Sequence, residues 1–261
     1  MIFLSFDIEE FDNPFPCSQL LTFDRQMEIS MVGTERILDL LAGQNVVATF
    51  FCTANFAEHA PHLISRMVAE GHEVASHGYY HNRFEPAHLK QSREVLERLT
   101  GCRVTGFRMP NMGKISVDEL ISAGYSYNSS LHPTYLPGKY NNFTKPRRIF
   151  QEGALYQIPA SVSPVVRLPL FWLALHNYPL SIYKMLAQAS LKKDGYLNLY
   201  FHPWEFIDLN NAGLDLPLYV KRNSGDAMVD RLTSFIACFK AKNEQFGRLN
   251  ECAEVFLNAK S

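Results

Sequence analysis

No apolar run in this 261-residue chain is long enough to cross a bilayer. The longest, Leu168 to Leu175, contains Pro169 and spans eight residues, against the roughly 20 that a membrane helix needs. An excess of one charge is also lacking. Lys and Arg total 25 against 26 Asp and Glu, and a net charge of −1 removes any bulk attraction to nucleic acid or an anionic membrane. There is no disulfide framework: Cys17, Cys52, Cys102, Cys238 and Cys252 are odd in number, widely scattered and free of any C-x-x-C pair, so they read as free thiols. The start, Met1-Ile-Phe-Leu-Ser-Phe-Asp7, has no basic n-region and soon meets a cluster of acids. It reads as neither signal peptide nor anchor, and a cytoplasmic protein is expected. With no Gly/Ser/Pro-rich linker, charge run, low-complexity tract or internal repeat, residues 1–261 read as one domain.

What is present is the composition of a globular enzyme, with 47% hydrophobic and 20% charged residues. Short β-branched and aromatic runs alternate with helix-period segments, the pattern of βα units around a parallel sheet. Strands are expected at Ile2 to Phe6, Val46 to Phe51, Glu73 to Ser76, Val104 to Phe107, Tyr125 to Ser129 and Tyr196 to Phe201. Helices are expected at Val32 to Leu41 with Gly43 as stop, Ala57 to Ala69, Pro86 to Leu99, and Ser116 to Ala123 closed by Gly124. Further helices are expected at Leu180 to Leu191, Gly225 to Lys240 and Glu251 to Leu257. The stretch from about Leu131 to Pro164, rich in Pro, Asn, Tyr and Gly, reads as a long excursion whose one strand is Leu155 to Ile158.

Polar clusters fall just beyond the strand ends, where the loops of a (β/α) barrel converge. Asp7 and Glu9 close the first strand, His77 and His81 follow the third, Arg108 ends the fourth, and His202 ends the strand at Tyr196 to Phe201. Two imidazoles four residues apart share one face of a helical turn and can grip one ion. Carboxylates spaced by two share one side of an extended backbone, so Asp7 and Glu9 can both face that ion, with Arg108 as the pairing cation. Trp204, beside His202, reads equally as a sugar-stacking or a core residue. His59, His62, His72, His88, His132 and His176 lack a paired ligand and read as surface or hydrogen-bonded histidines.

These stretches together resemble the polysaccharide deacetylase family, the group with the NodB homology domain, also called carbohydrate esterase family four. Ser5-Phe-Asp-Ile-Glu9 resembles the first family motif, Ser76-His-Gly-Tyr-Tyr-His81 the second, Phe107-Arg-Met-Pro110 the third, and Leu199-Tyr-Phe-His-Pro-Trp204 the fifth. Ala48-Thr-Phe-Phe51 and Gly124-Tyr-Ser-Tyr-Asn-Ser-Ser130 are further family-like stretches. The resemblance implies an α/β fold, a distorted and incomplete (β/α) barrel of about seven strands. It implies Asp7 as catalytic base oriented by Arg108, His202 as general acid, and Glu9, His77 and His81 as ligands of one divalent ion. Zn leads, with Co, Ni, Mn and Fe as other candidates. A backbone N–H near Asn111 is expected at the oxyanion. The family's usual first motif sets two aspartates side by side, so with Asp7-Ile8-Glu9 the two acids could exchange roles. The position of a fourth-motif aspartate that tunes the acid histidine corresponds to Asn128, which is neutral.

The expected activity is removal of an N-acetyl or N-formyl group from a sugar in bacterial surface polysaccharide or O-antigen synthesis. The partner is an N-acylated sugar, nucleotide sugar or glycan, with no nucleic acid and the oligomeric state open. Alternatives are hydrolysis of a small non-sugar amide or cyclic imide, a non-haem iron oxygenase built on the same two histidines and carboxylate, and a non-catalytic glycan-binding relic.

Overall fold

The computed structural model describes residues 1–12 and 21–252. Its strands are β1 (Ile2–Ile8), β2 (Thr49–Cys52), β3 (Glu73–Ser76), β4 (Gly106–Phe107), β5 (Tyr127–Asn128), β6 (Tyr135–Leu136), β7 (Tyr140–Asn141), β8 (Phe150–Glu152), β9 (Leu155–Gln157), β10 (Leu197–Phe201) and β11 (Phe246–Gly247). The α-helices are α1 (Phe23–Gln44), α2 (Ala54–His59), α3 (Pro61–Ala69), α4 (Ala87–Thr100), α5 (Val117–Ala123), α6 (Trp172–Asn177), α7 (Leu180–Asp194), α8 (Leu218–Lys221) and α9 (Asp226–Lys240).

Seven strands run parallel in the order β10-β1-β2-β3-β4-β5-β9, with β8 antiparallel on the β9 edge and β11 beside the start of β1. The sheet curls into an open half-barrel and does not close, since β10 and β8 are not paired. The expected incomplete barrel of about seven strands is the observed architecture. The register explains where its chemistry lies. Ile8 pairs with Cys52, Cys52 with Ser76, Ser76 with Phe107 and Phe107 with Asn128, so the strands end in one row. The next residue along each strand, Glu9, His77 and Arg108 among them, therefore emerges at one level. Phe6 pairs with Phe201, which sets Asp7 beside His202.

Alternation assigns the two faces of β1. Ile2, Leu4, Phe6 and Ile8 pack outward under the helices, while Phe3 joins Phe51, Ala75, Tyr127, Ile158 and Tyr196 in a second cluster inside the curl. Asp7 shares that inner face, so the inner cluster forms the floor of the site. Outside, α1 lies against the turn Pro203–Phe206 that follows β10, and the approach is close because residue 33 is glycine.

Several local expectations change. Helix α1 starts at Phe23, with Thr22 Oγ1 accepting from the Arg25 N–H, because a side-chain cap can begin a helix before its apolar stripe is strong. Gly43 lies within α1, and Asn45, at φ 49°, ends it instead. The helix expected from Ala57 to Ala69 is two helices, since Pro61 cannot supply the N–H to continue α2 and begins α3. The excursion carries the hairpin β6–β7 and the strand β8 as well as β9. The last expected helix begins at Leu249, and its part beyond Cys252 lies outside the described residues, as does Cys17. Cys52, Cys102, Cys238 and Cys252 are free thiols. Among the described residues no helix is long and apolar enough to cross a membrane.

Candidate active site

All six residues singled out beyond the strand ends meet at one place. Asp7, Glu9, His77, His81 and His202 line a cavity of about 310 Å³, and Arg108 lies beneath it, wholly buried. The rest of the wall is largely aromatic, with Tyr140, Phe171, Trp172, Tyr200 and Trp204 among its residues, and Lys139 stands at its edge.

The histidine pair does not lie on a helical turn. Residues 77–81 form a loop, curled by Gly78 at φ 81° and tied to the start of α2 by hydrogen bonds from Ala54 N–H to the Gly78 carbonyl and from Asn55 N–H to the Tyr79 carbonyl. The loop brings the two rings to 5.8 Å between centroids. His77 Nε2 lies 3.2 Å and His81 Nε2 2.9 Å from the same Glu9 oxygen, Oε2.

Hydrogen bonds on the far side of each ring fix its tautomer. His77 Nδ1 is 2.9 Å from the Arg108 carbonyl and His81 Nδ1 2.9 Å from the Asp12 carboxylate; both partners only accept, so each Nδ1 carries the hydrogen. In the neutral rings two Nε2 lone pairs then converge on a carboxylate oxygen, with all three groups buried. Three electron-rich atoms at one buried point require a positive charge between them. The three donor atoms lie within 4.8 Å of one another, so Glu9, His77 and His81 could hold a metal ion. Burial opposes charge on Glu9, but the imidazoles of His81 and His77 outweigh it and hold the carboxyl below the usual range. Burial likewise disfavours an imidazolium at His81, and Glu9 and Asp12 overcome it, raising its pKa well above the usual value.

Asp7 faces the cavity from the other side. Arg108 NH1 donates to Asp7 Oδ1 at 2.6 Å, while its Nε and NH2 donate to the Ser129 carbonyl and hydroxyl at 3.1 and 3.0 Å. The guanidinium lies 4.1 Å above the centre of the Phe51 ring, so its orientation is set from below as well. Asp7 Oδ2 faces His202 Nε2 at 3.9 Å. His202 is stacked on Trp204, with ring centres 5.3 Å apart, and meets Trp172 and Tyr200 edge to face. Burial lowers its affinity for a proton, yet Glu205, Glu9 and Asp7 reverse this and raise its pKa.

This constellation can be compared with known proteins. The family model described as polysaccharide deacetylase matches residues 16–127, a stretch that contains His77, His81 and Arg108. That matched stretch resembles the polysaccharide deacetylase family and covers less than half of the chain. A chitooligosaccharide deacetylase of Sinorhizobium fredii is 43% identical over 81 residues, 31% of this chain and 37% of the relative. The chain spans less than half the length of the curated relatives it matches. A solved structure described as a polysaccharide deacetylase from Mycobacterium smegmatis aligns over 99% of this chain and 90% of its own, with a TM-score of 0.70 and 20% identity. The PuuE allantoinase structure aligns over 97% and 88%, with a TM-score of 0.65 and 17% identity. The same fold thus also carries a differently named enzyme, and the fold alone does not choose the substrate.

Sequence reasoning missed two carboxylates. Asp12 supports His81, and Glu205 lies against His202 at 2.8 Å. The signal for Glu205 was present: Pro203 and Glu205 follow His202 at the spacing of a capping box, in which the third residue of a turn reaches back to the N–H that precedes it. Asn128 does not approach His202. It donates to Gln157 and accepts from Ser130, beside the cavity at Met112 and Lys145. Trp204 is 1% exposed, as a core residue would be, and also forms part of the cavity wall. His132 and His176 are wholly buried and hydrogen-bonded.

Proposed function

We propose that this chain is a metal-dependent hydrolase that removes an N-acetyl or N-formyl group from a sugar, with residues 1–261 acting as one catalytic unit. The reading rests on the family match and above all on one observation: two lone-pair nitrogens and a carboxylate converge at one wall of a cavity, and an arginine-held carboxylate and a histidine face each other at another. Glu9, His77 and His81 would hold one divalent ion, Zn first among the candidates. When bound, such an ion polarises an amide carbonyl and acidifies a water. Asp7, oriented by Arg108, takes the proton of the attacking water as general base. His202 gives a proton to the departing amine, which is otherwise a poor leaving group. The raised pKa of His202 suits that task, because it favours the charged ring that carries the proton to be given. Asn111, in the left-handed region at φ 57° and on the cavity wall, supplies the backbone N–H proposed for the oxyanion.

The substrate end of the proposal is a single acylated sugar unit of a bacterial surface glycan or O-antigen precursor, handled in the cytoplasm. Aromatic walls suit the apolar face of a sugar ring, and 310 Å³ is at the small end of ligand cavities. The same enclosure favours a second reading, hydrolysis of a small non-sugar amide or cyclic imide. Metal content by elemental mass spectrometry, on untagged wild type, Glu9→Ala and His77→Ala, tests the site. About one divalent ion per chain, absent from both variants, together with release of acetate or formate from N-acylated sugars, is expected. Ring opening without a released acid would select the second reading, and a wild type that refuses added Zn or Co would end both.

A further inference from the structure

Glu205 is 0% exposed, three residues beyond His202. Its Oε1 accepts from the His202 backbone N–H at 2.6 Å and lies 2.8 Å from His202 Nδ1. A carboxylate oxygen accepts, so Nδ1 carries the ring hydrogen and Nε2 is turned towards Asp7 and the cavity. The turn itself makes this arrangement. Pro203 opens it, Trp204 folds under the histidine ring, and Glu205 reaches back along the same face.

The other oxygen, Oε2, faces His176 Nε2 at 3.6 Å, and neither atom has a hydrogen-bond partner among the described residues. His176 Nδ1 is 2.7 Å from the Arg222 carbonyl, which only accepts, so this nitrogen also carries a hydrogen. A neutral His176 would then aim a lone pair at a carboxylate oxygen, with both groups shut off from water. His176 is thus the group that faces the second oxygen of Glu205, and it reaches that oxygen from α6.

We infer that Glu205, backed by His176 against its second oxygen, is the positioning residue that holds His202 as a proton donor. The inference rests on the proposed role of His202 and specifies how that role is supported. The carboxylate comes from the histidine's own turn, whereas Asn128, the residue at the position where the family carries an aspartate, is occupied by Gln157 and Ser130. His176 arrives from α6, and the aromatic packing that joins the two histidines runs through Trp172, in edge contact with both rings.

The test compares wild type, Glu205→Gln and His176→Asn, each supplemented with Zn(II) and checked for folding by thermal melting. Two substrates are used: an N-acetyl sugar, whose amine must be protonated, and 4-nitrophenyl acetate, whose phenolate departs unaided. The amide kcat of Glu205→Gln should fall about 100-fold or more with KM changed less than about threefold, while ester turnover falls far less. His176→Asn should move in the same direction by a smaller factor. Nitrogen NMR of labelled histidine rings gives a second readout that needs no turnover: His202 should lose its fixed Nδ1–H tautomer, and its pKa should drop, in Glu205→Gln. Equal losses on both substrates would mark Glu205 as scaffolding and overturn the inference. So would an unchanged His202 tautomer and pKa in both variants. A wild type inactive on every N-acyl sugar defeats the proposed function instead, and the NMR arm still decides whether Glu205 holds His202.

Discussion

Gly33 lies in the middle of α1, far along the chain from the candidate site, yet its substitution should damage catalysis. A Cβ added there would stand 2.5 Å from the Pro203 carbonyl carbon and 3.0 Å from its Cα, and nearer still to the carbonyl oxygen. Ordinary carbon–carbon contact is about 3.5–4.0 Å. Helix or turn must therefore move by about 1 Å, and both contacts are backbone, which cannot rotate away as a side chain could. Overpacking of this kind costs about 1–3 kcal/mol, offset by the ~1 kcal/mol that alanine gains over glycine within a helix. The net loss in Gly33→Ala is about 0–2 kcal/mol, or up to ~8 °C in Tm for a chain of this size. The effect on rate is larger, because Pro203 follows His202 directly, and a misplacement of about 1 Å can cost about 100-fold. The assay pairs a thermal melt with kcat on the N-acyl substrate. A folded Gly33→Ala protein with wild-type kcat, within about threefold, would refute the claim that α1 sets the position of His202.

Replacing Arg108 with Met would leave Asp7, 4% exposed, without its buried ion partner and should lower stability by about 3–5 kcal/mol in urea unfolding; a loss under ~1 kcal/mol would contradict the assigned pairing. Burial, reinforced by the charge of Arg108, pushes the His132 pKa down to about 3. Below the ordinary value of about 6.5 the unfolded chain takes up a proton that the folded protein refuses. The contribution is therefore present above about pH 6.5 and is lost as pH falls towards 3, at up to ~1.4 kcal/mol per pH unit. His132→Asn should flatten the slope of unfolding free energy between pH 6.5 and 5, and an unaltered slope would show that this ring is not the group responsible.

The four clusters were legible because strand-end placement is a local property. The run Ile2–Phe6 at the start of β1 buries both faces, so the first ionisable groups after it must lie where the sheet ends, and Asp7 and Glu9 mark that boundary. His77 and Arg108 are read in the same way. The helical turn assigned to His77 and His81 failed for an equally local reason: spacing by four suits a helix, but Gly78 at positive φ turns the same spacing into a loop that still aims both rings at Glu9. Glycine at position 43 and proline at position 61 misled the helix boundaries, since Asn45 can end a helix in the left-handed region and Pro61 begins a new one.

By itself, the sequence determined the βα order and which residues could do chemistry, because these depend on residue type and on periods of 2 and 3.6, and its motifs carried the family resemblance. Tertiary structure alone decided which oxygen faces which nitrogen. Arg108 reaches Asp7 across 101 residues, His81 meets Asp12 across 69, and His176 opposes Glu205 from a different helix. Such pairings are set by strand register and by the packing of segments distant in sequence, to within tenths of an ångström. Whether a buried ring is a ligand, an acid or a wall depends on the partner that this packing supplies.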